Sequence, residues 1–157
     1  MRTLFPYTTL FRSGIFWDQQ SQGALAENNL IYDIEGGGIV QNWGLGNLFR
    51  NNIVAFTEGG ASKGNVNPDD ASAFNHLYVT GNVFISDDGV GLGKAWPKSQ
   101  EDDRIEDNLF YDVNQAPLTF WGRSLQDWQA QSGLGQGTVI ADPGAADSLQ
   151  RDFTITT

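Results

Sequence analysis

The chain has no cysteine in 157 residues. Neither a disulfide framework nor a thiolate metal site is open to it. Bases are scarce: nine Lys and Arg stand against nineteen Asp and Glu, for a formal charge of −10. Nucleic-acid binding needs clustered Lys and Arg, so that class is excluded as a partner. The acidic surface itself requires nothing beyond solubility. No apolar run approaches the ~20 residues of a membrane span. What is abundant is Gly, at 19 residues, together with Asn and 12% aromatics. Many turns with many aromatics predict an all-β chain whose turns succeed each other quickly.

The opening run TLFPYTTLFRS, Thr3 to Ser13, has no acid and no likeness to the rest of the chain. It fails as a targeting segment, because Pro6 and Thr8-Thr9 break its short apolar pieces and it has no small-residue cleavage site. It resembles the translation of a standard short-read sequencing adapter. The expectation is that residues 1–13 are an artefact and that the natural sequence starts near Gly14, inside a gene. Residues 1–13 hold two arginines and no acid, so the remainder carries −12. Residues 14–157 are then expected to be a partial domain, truncated at both ends.

Four segments of that remainder read alike: ENNLIYDI (27–34), RNNIVAFT (50–57), TGNVFISD (80–87) and EDNLFYDV (106–113). Their shared residues are Asn29, Asn52, Asn82 and Asn108, spaced by 23, 30 and 26. A second column holds GIFWDQ (14–19), GIVQNW (38–43), GLGKAW (91–96) and APLTFW (116–121). A period of about 25 residues with short β-like runs predicts a parallel β-solenoid with three strands per turn. One turn cannot bury its apolar face alone, so turns must stack. An Asn at the same bend of successive rungs can then hydrogen-bond to its neighbours as amide ladders do. Alternate apolar residues, such as Leu30 and Tyr32 or Ile53 and Ala55, are expected to fill the interior. The polar, Gly-rich stretch 58–72 reads as an insertion loop. A leucine-rich repeat lacks its Leu-x-x-Leu-x-Leu frame here, and a sandwich or jelly roll gives no reason for the recurrent Asn.

Near the C-terminus, SLQDWQAQSG (124–133) predicts one short helix, with Ser124 as N-cap, Asp127 three residues later and Gly133 ending it. TVIADP (138–143) reads as a strand stopped at Asp142-Pro143. DFTITT (152–157) reads as one more strand.

The order GIFWD, ENNLIYD, GGGIVQNWG, RNNIVAF, RIEDNLFYD, SLQDWQ and IADPG resembles bacterial right-handed parallel β-helix proteins of the pectate-lyase-like superfamily. The resemblance covers nearly all of residues 14–157. It implies an exported protein, secreted, periplasmic or at the cell surface, acting on a polysaccharide or oligosaccharide. Several relatives are glycoside hydrolases or polysaccharide lyases. Where relatives often carry His around the third piece, this chain has Val40 and Asn42.

Chemistry is expected on outward residues of stacked rungs. If Ile15 and Trp17 point inward, Phe16 and Asp18 point outward, and likewise Ile39 and Gln41 inward with Val40 and Asn42 outward. Asp18 and Asn42 would then lie one rung apart. Glycoside hydrolysis needs two carboxyl groups. The catalytic candidates are Asp18 with Glu58 or Asp88; Glu35, before three glycines, and Asp87 are secondary ones. Asp87-Asp88-Gly89 is also a turn signal, and Asp18 also reads as a strand-end cap. Trp43 and Trp96 are candidates to stack sugar rings, with Trp121 in a similar position; the competing reading is core packing. Asn42 and Lys94 complete the candidate binding set, and Gln41 adds amide groups suited to hydroxyls. His76 reads as a rung residue. No metal or cofactor is expected for a hydrolase. A lyase would call for Ca²⁺, for which Asp69-Asp70 and Glu101-Asp102-Asp103 offer oxygens, and for a base such as Lys94 or Arg123. The expected function is therefore polysaccharide or glycoside cleavage, hydrolase ahead of lyase. The alternative is a non-catalytic polysaccharide-binding or structural β-helix.

Overall fold

A computed structural model describes residues 13–18, 21–42, 44–57, 61–63, 76–93 and 103–156. The chain is a parallel β-solenoid of about four turns, with a single short α-helix among the described residues. A first strand, β1 (Ser13–Trp17), precedes the first full turn of β2 (Leu25–Glu27), β3 (Leu30–Ile34) and β4 (Gly37–Gln41). The second turn is β5 (Asn47–Arg50), β6 (Ile53–Thr57) and β7 (Ala61–Lys63). The third is β8 (Leu77–Thr80), β9 (Val83–Ser86) and β10 (Val90–Leu92). The fourth is β11 (Arg104–Glu106), β12 (Leu109–Asp112) and β13 (Thr119–Phe120). Helix α1 (Leu125–Ser132) and β14 (Val139–Ile140) come next, and β15 (Ala145–Asp147) with β16 (Asp152–Ile155) ends the chain.

Three faces result. The first holds β1-β4-β7 and, as a separate sheet, β10-β13. The second is β2-β5-β8-β11, and the third is β3-β6-β9-β12-β14. Every pairing in them is parallel.

The bend between the second and third faces carries the repeat. The residue before each ladder Asn is left-handed: Asn28 (φ 59°), Asn51 (53°), Gly81 (64°) and Asp107 (56°). Asn, Asp and Gly are the residues that reach this region at least cost. The next residue is the ladder Asn. Its Oδ1 accepts both the main-chain N–H and the Nδ2 of the Asn one rung earlier. Asn29 donates to Asn52 at 2.9 and 2.8 Å, Asn52 to Asn82 at 3.0 and 2.9 Å, and Asn82 to Asn108 at 2.9 and 3.0 Å. Asn52, Asn82 and Asn108 are buried, so the bonds between them form away from water.

Because the ladder Asn faces inward, the period of two places the following residue outside. The expected interior residues Leu30 and Tyr32 are therefore exposed, at 49% and 42%. Ile53 is half-buried. The third-face interior is instead Ile31, Val54, Phe84 and Phe110, in register from rung to rung. Phe84 and Phe110 stack with centroids 4.8 Å apart. Ala55 is buried, but in a second cluster on the outer surface, where Phe153 covers it and Ile85.

The helix closes the C-terminal end. Ser124 Oγ accepts the Asp127 N–H at 3.1 Å, and Gly133 (φ 72°) donates its N–H to the Gln129 carbonyl. Trp128 is buried and stacks on Phe120 at 5.3 Å. The chain then returns over β11, through Gly135 N–H to Ile105 O and Asp107 N–H to Gln136 O, and adds β14 to the third face. The last strand is not a further rung: β16 pairs antiparallel with β15 in a separate two-stranded sheet.

Candidate functional site

β1 and β4 form the best-defined part of the first face. Their register pairs Ile15 with Ile39, Phe16 with Val40 and Trp17 with Gln41. Ile39 and Gln41 are buried, and Ile15 and Trp17 pack against the core. Phe16 is 51% exposed. One residue further on, Asp18 and Asn42 stand side by side on consecutive rungs, and Asn42 Nδ2 donates to Asp18 Oδ1 at 2.8 Å. The outward surface thus joins a carboxylate, an amide and an aromatic face. Gln41 does not contribute to it. Its side chain turns inward, donates to Gly44 O at 3.1 Å and accepts from Asn47 Nδ2 at 2.8 Å.

Asp88 lies elsewhere, in the exposed turn between β9 and β10. Its Oδ1 accepts the Val90 N–H at 2.9 Å and lies 3.0 Å from Ser86 Oγ. The same hydroxyl lies 2.9 Å from Asp112 Oδ2, so one proton serves two carboxylates. Asp112 is buried. Its Oδ2 also takes the Gly89 N–H, and its Oδ1 takes the N–H groups of Asn114 and Ala116. Burial pushes this carboxyl up. The donors of Ala116, Gly89, Ser86 and Asn114 outweigh that push and hold it below the usual carboxylate range. A cavity of about 270 Å³ opens beside it, between Tyr111, Gln115 and Asp142. With two hydrogen bonds on each oxygen, Asp112 is a turn clamp with no lone pair left for a ligand.

Glu58, Trp43, Lys94 and Trp96 lie outside the described residues, as do Asp69, Asp70, Glu101 and Asp102. Asp103 is buried and accepts the N–H groups of Leu77 and His76 at 3.0 and 3.3 Å, a cap on the preceding rung. His76 immediately precedes β8, with φ 86°. Glu35 is exposed at the bend before β4. Arg123 donates to Trp121 O at 3.3 Å. Of the tryptophans, Trp17 packs edge-on against Phe49 and Trp121 edge-on against Trp128. Among the described residues, then, tryptophan serves packing. Among them, too, no three His, Asp or Glu side chains are grouped to hold a metal ion.

Two polar groups escaped the sequence reading. Asn47 is buried and bridges Ala24 N–H, Ser21 O and Gln41 Oε1. Asp112 falls on the inward parity set by Asn108 and Phe110, and an acid at an inward position is a legible signal once the ladder phase is known. Comparison of the chain with protein-family models, with curated proteins and with solved structures gives no match.

Proposed function

We propose that this solenoid acts on carbohydrate, with the outward surface of β1 and β4 as the sugar-binding surface and Asp18 as its carboxylate. The observation that carries the reading is the Asp18–Asn42 pair beside exposed Phe16. A sugar presents hydroxyls to a carboxylate–amide couple, and the C–H face of its ring to an aromatic side chain. The order of sequence segments resembling pectate-lyase-like β-helices supports the same substrate class, and with it an exported, bacterial protein. In this reading Asp18 is one member of a hydrolytic carboxyl pair, Asp88 stands apart from it in the turn before β10, and Glu58 is the remaining candidate for the other member, with Trp43, Lys94 and Trp96 as further sugar-binding candidates.

The test compares the native chain with Asp18→Asn on a panel of neutral and uronate polysaccharides, tracking both reducing-end release and binding by calorimetry. Cleavage that falls at least about 100-fold in the variant, with melting unchanged, supports a hydrolase. Binding without cleavage, weakened by Asp18→Asn, supports a non-catalytic carbohydrate module on the same surface. Neither binding nor cleavage across the panel sinks the proposal.

A further inference from the structure

The C-terminal hairpin β15–β16 lies on the outer surface of the third face, away from the first-face surface of Asp18 and Asn42. Among the described residues, no main-chain hydrogen bond joins it to the coil. Two side chains hold it there. Arg151 reaches back 118 residues to Asp33, with Nε 3.0 Å from both carboxylate oxygens and Nη2 2.7 Å from Oδ1. Its guanidinium also sits 4.0 Å over the Phe56 ring. Among the described residues of the hairpin, Phe153 alone is buried, and it lies against Tyr32 and Phe56, with centroids 5.5 and 6.2 Å away. Beneath it are Ala55 and Ile85.

We propose that residues 145–156 are a latch that opens independently of the solenoid, with the Arg151–Asp33 pair as its catch. An isolated two-stranded hairpin is marginal in water, so its order depends on docking. Local opening is drawn from elements with few buried contacts. This hairpin buries one aromatic, and its ion pair is partly exposed on both sides, at 35% and 46%. Salt weakens such a pair. The rungs are held otherwise: the second and third faces are paired strand to strand along the backbone, and Asn52, Asn82 and Asn108 tie them with buried bonds. Opening the latch uncovers an apolar strip of Ala55, Ile85, Tyr32 and Phe56.

The experiment is hydrogen exchange on the full chain, comparing the hairpin amides of Thr154 and Thr156 with the ladder amides of Asn52 and Asn82. The hairpin is expected to exchange at least about tenfold faster than the ladder. Arg151→Ala, or 1 M salt on the native chain, is expected to speed the hairpin roughly three- to tenfold further. Ladder amides should not change, and binding of an apolar dye should rise. Asp33→Asn, a second surface change that leaves the rungs intact, should act like Arg151→Ala. Hairpin and ladder amides exchanging in step would overturn the proposal. So would a hairpin indifferent to salt and to both substitutions.

Discussion

Asn82 uses every polar atom it has. Its N–H and Nδ2 donate to Asn108 Oδ1, Nδ2 also reaches Phe49 O and Thr80 O, Oδ1 accepts twice from Asn52, and its carbonyl accepts from Leu109. Asn82→Ala would leave the buried Asn52 N–H without its acceptor and take one donor each from Phe49 O and Thr80 O. The expected cost is about 2–4 kcal/mol by urea denaturation, from several such groups at about 1–3 kcal/mol each, partly relieved by relaxation. Asn29 is exposed, and its Oδ1 accepts nothing among the described residues. Asn29→Ala should therefore cost less than about 1 kcal/mol. Equal costs at the two positions would show that the ladder does not act through burial. Asp112 gives a pH test. Its folded pKa lies below the ordinary value, so the stability it adds is present above the unfolded pKa of about 3.9 and is lost as pH falls through the folded one. Asp112→Asn should lower stability at neutral pH by about 1–3 kcal/mol. It should also flatten the acid limb of a stability–pH curve below about pH 4. A variant with an unchanged acid limb would assign that limb to other carboxylates.

At the scale of elements, what the sequence shows depends on how local the cause is. Helix α1 was legible to the residue, because Ser124, Asp127 and Gly133 act within a single turn of it. Ser124→Ala should cost about 1 kcal/mol through loss of the cap alone. Trp128→Ala should cost about 3–5 kcal/mol, since it empties the closure over Phe120. A capping cost as large as the tryptophan cost would mean that α1 contributes through its own helicity rather than as a plug. The rungs were legible because the Asn column and its left-handed predecessors recur. Their inward phase was not, since Leu30, Ile31 and Tyr32 are all residues that a core accepts. Only the phase of the buried ladder residues, carried back from Asn52 through the pairing of Ile31 with Val54, fixes which of the three is buried. The hairpin was half legible. A strand at β16 is readable from DFTI, but nothing local says that Phe153 will meet Tyr32 and Phe56 more than 95 residues earlier. For the site, Asp18 and Asn42 came from simple alternation carried across one rung. Asp112 required the ladder phase first.

The whole molecule combines a repetitive body with unequal ends. At the C-terminal end, α1 and Trp128 cover the core. At the other end β1, β2 and β3 are each, among the described residues, the outermost strand and so the edge of their sheet. Beside those edges stand Phe16, Leu25 and Leu30, all about half exposed. Edges of this kind invite pairing with another chain unless charge or shape prevents it. The charge of −10 supplies a long-range repulsion, whose reach falls from ~10 Å at 0.1 M salt to ~3 Å at 1 M. Edge attraction acts at contact and is not screened in the same way. Association should therefore rise with salt, whereas an assembly held by ion pairs would fall apart. Sedimentation velocity between about 0.02 and 1 M salt is expected to show monomer at the low end and growing oligomer at the high end. Leu25→Lys or Leu30→Lys, which places a charge on the edge, should restore the monomer. A chain that stays monomeric throughout would show that these edges do not pair between molecules.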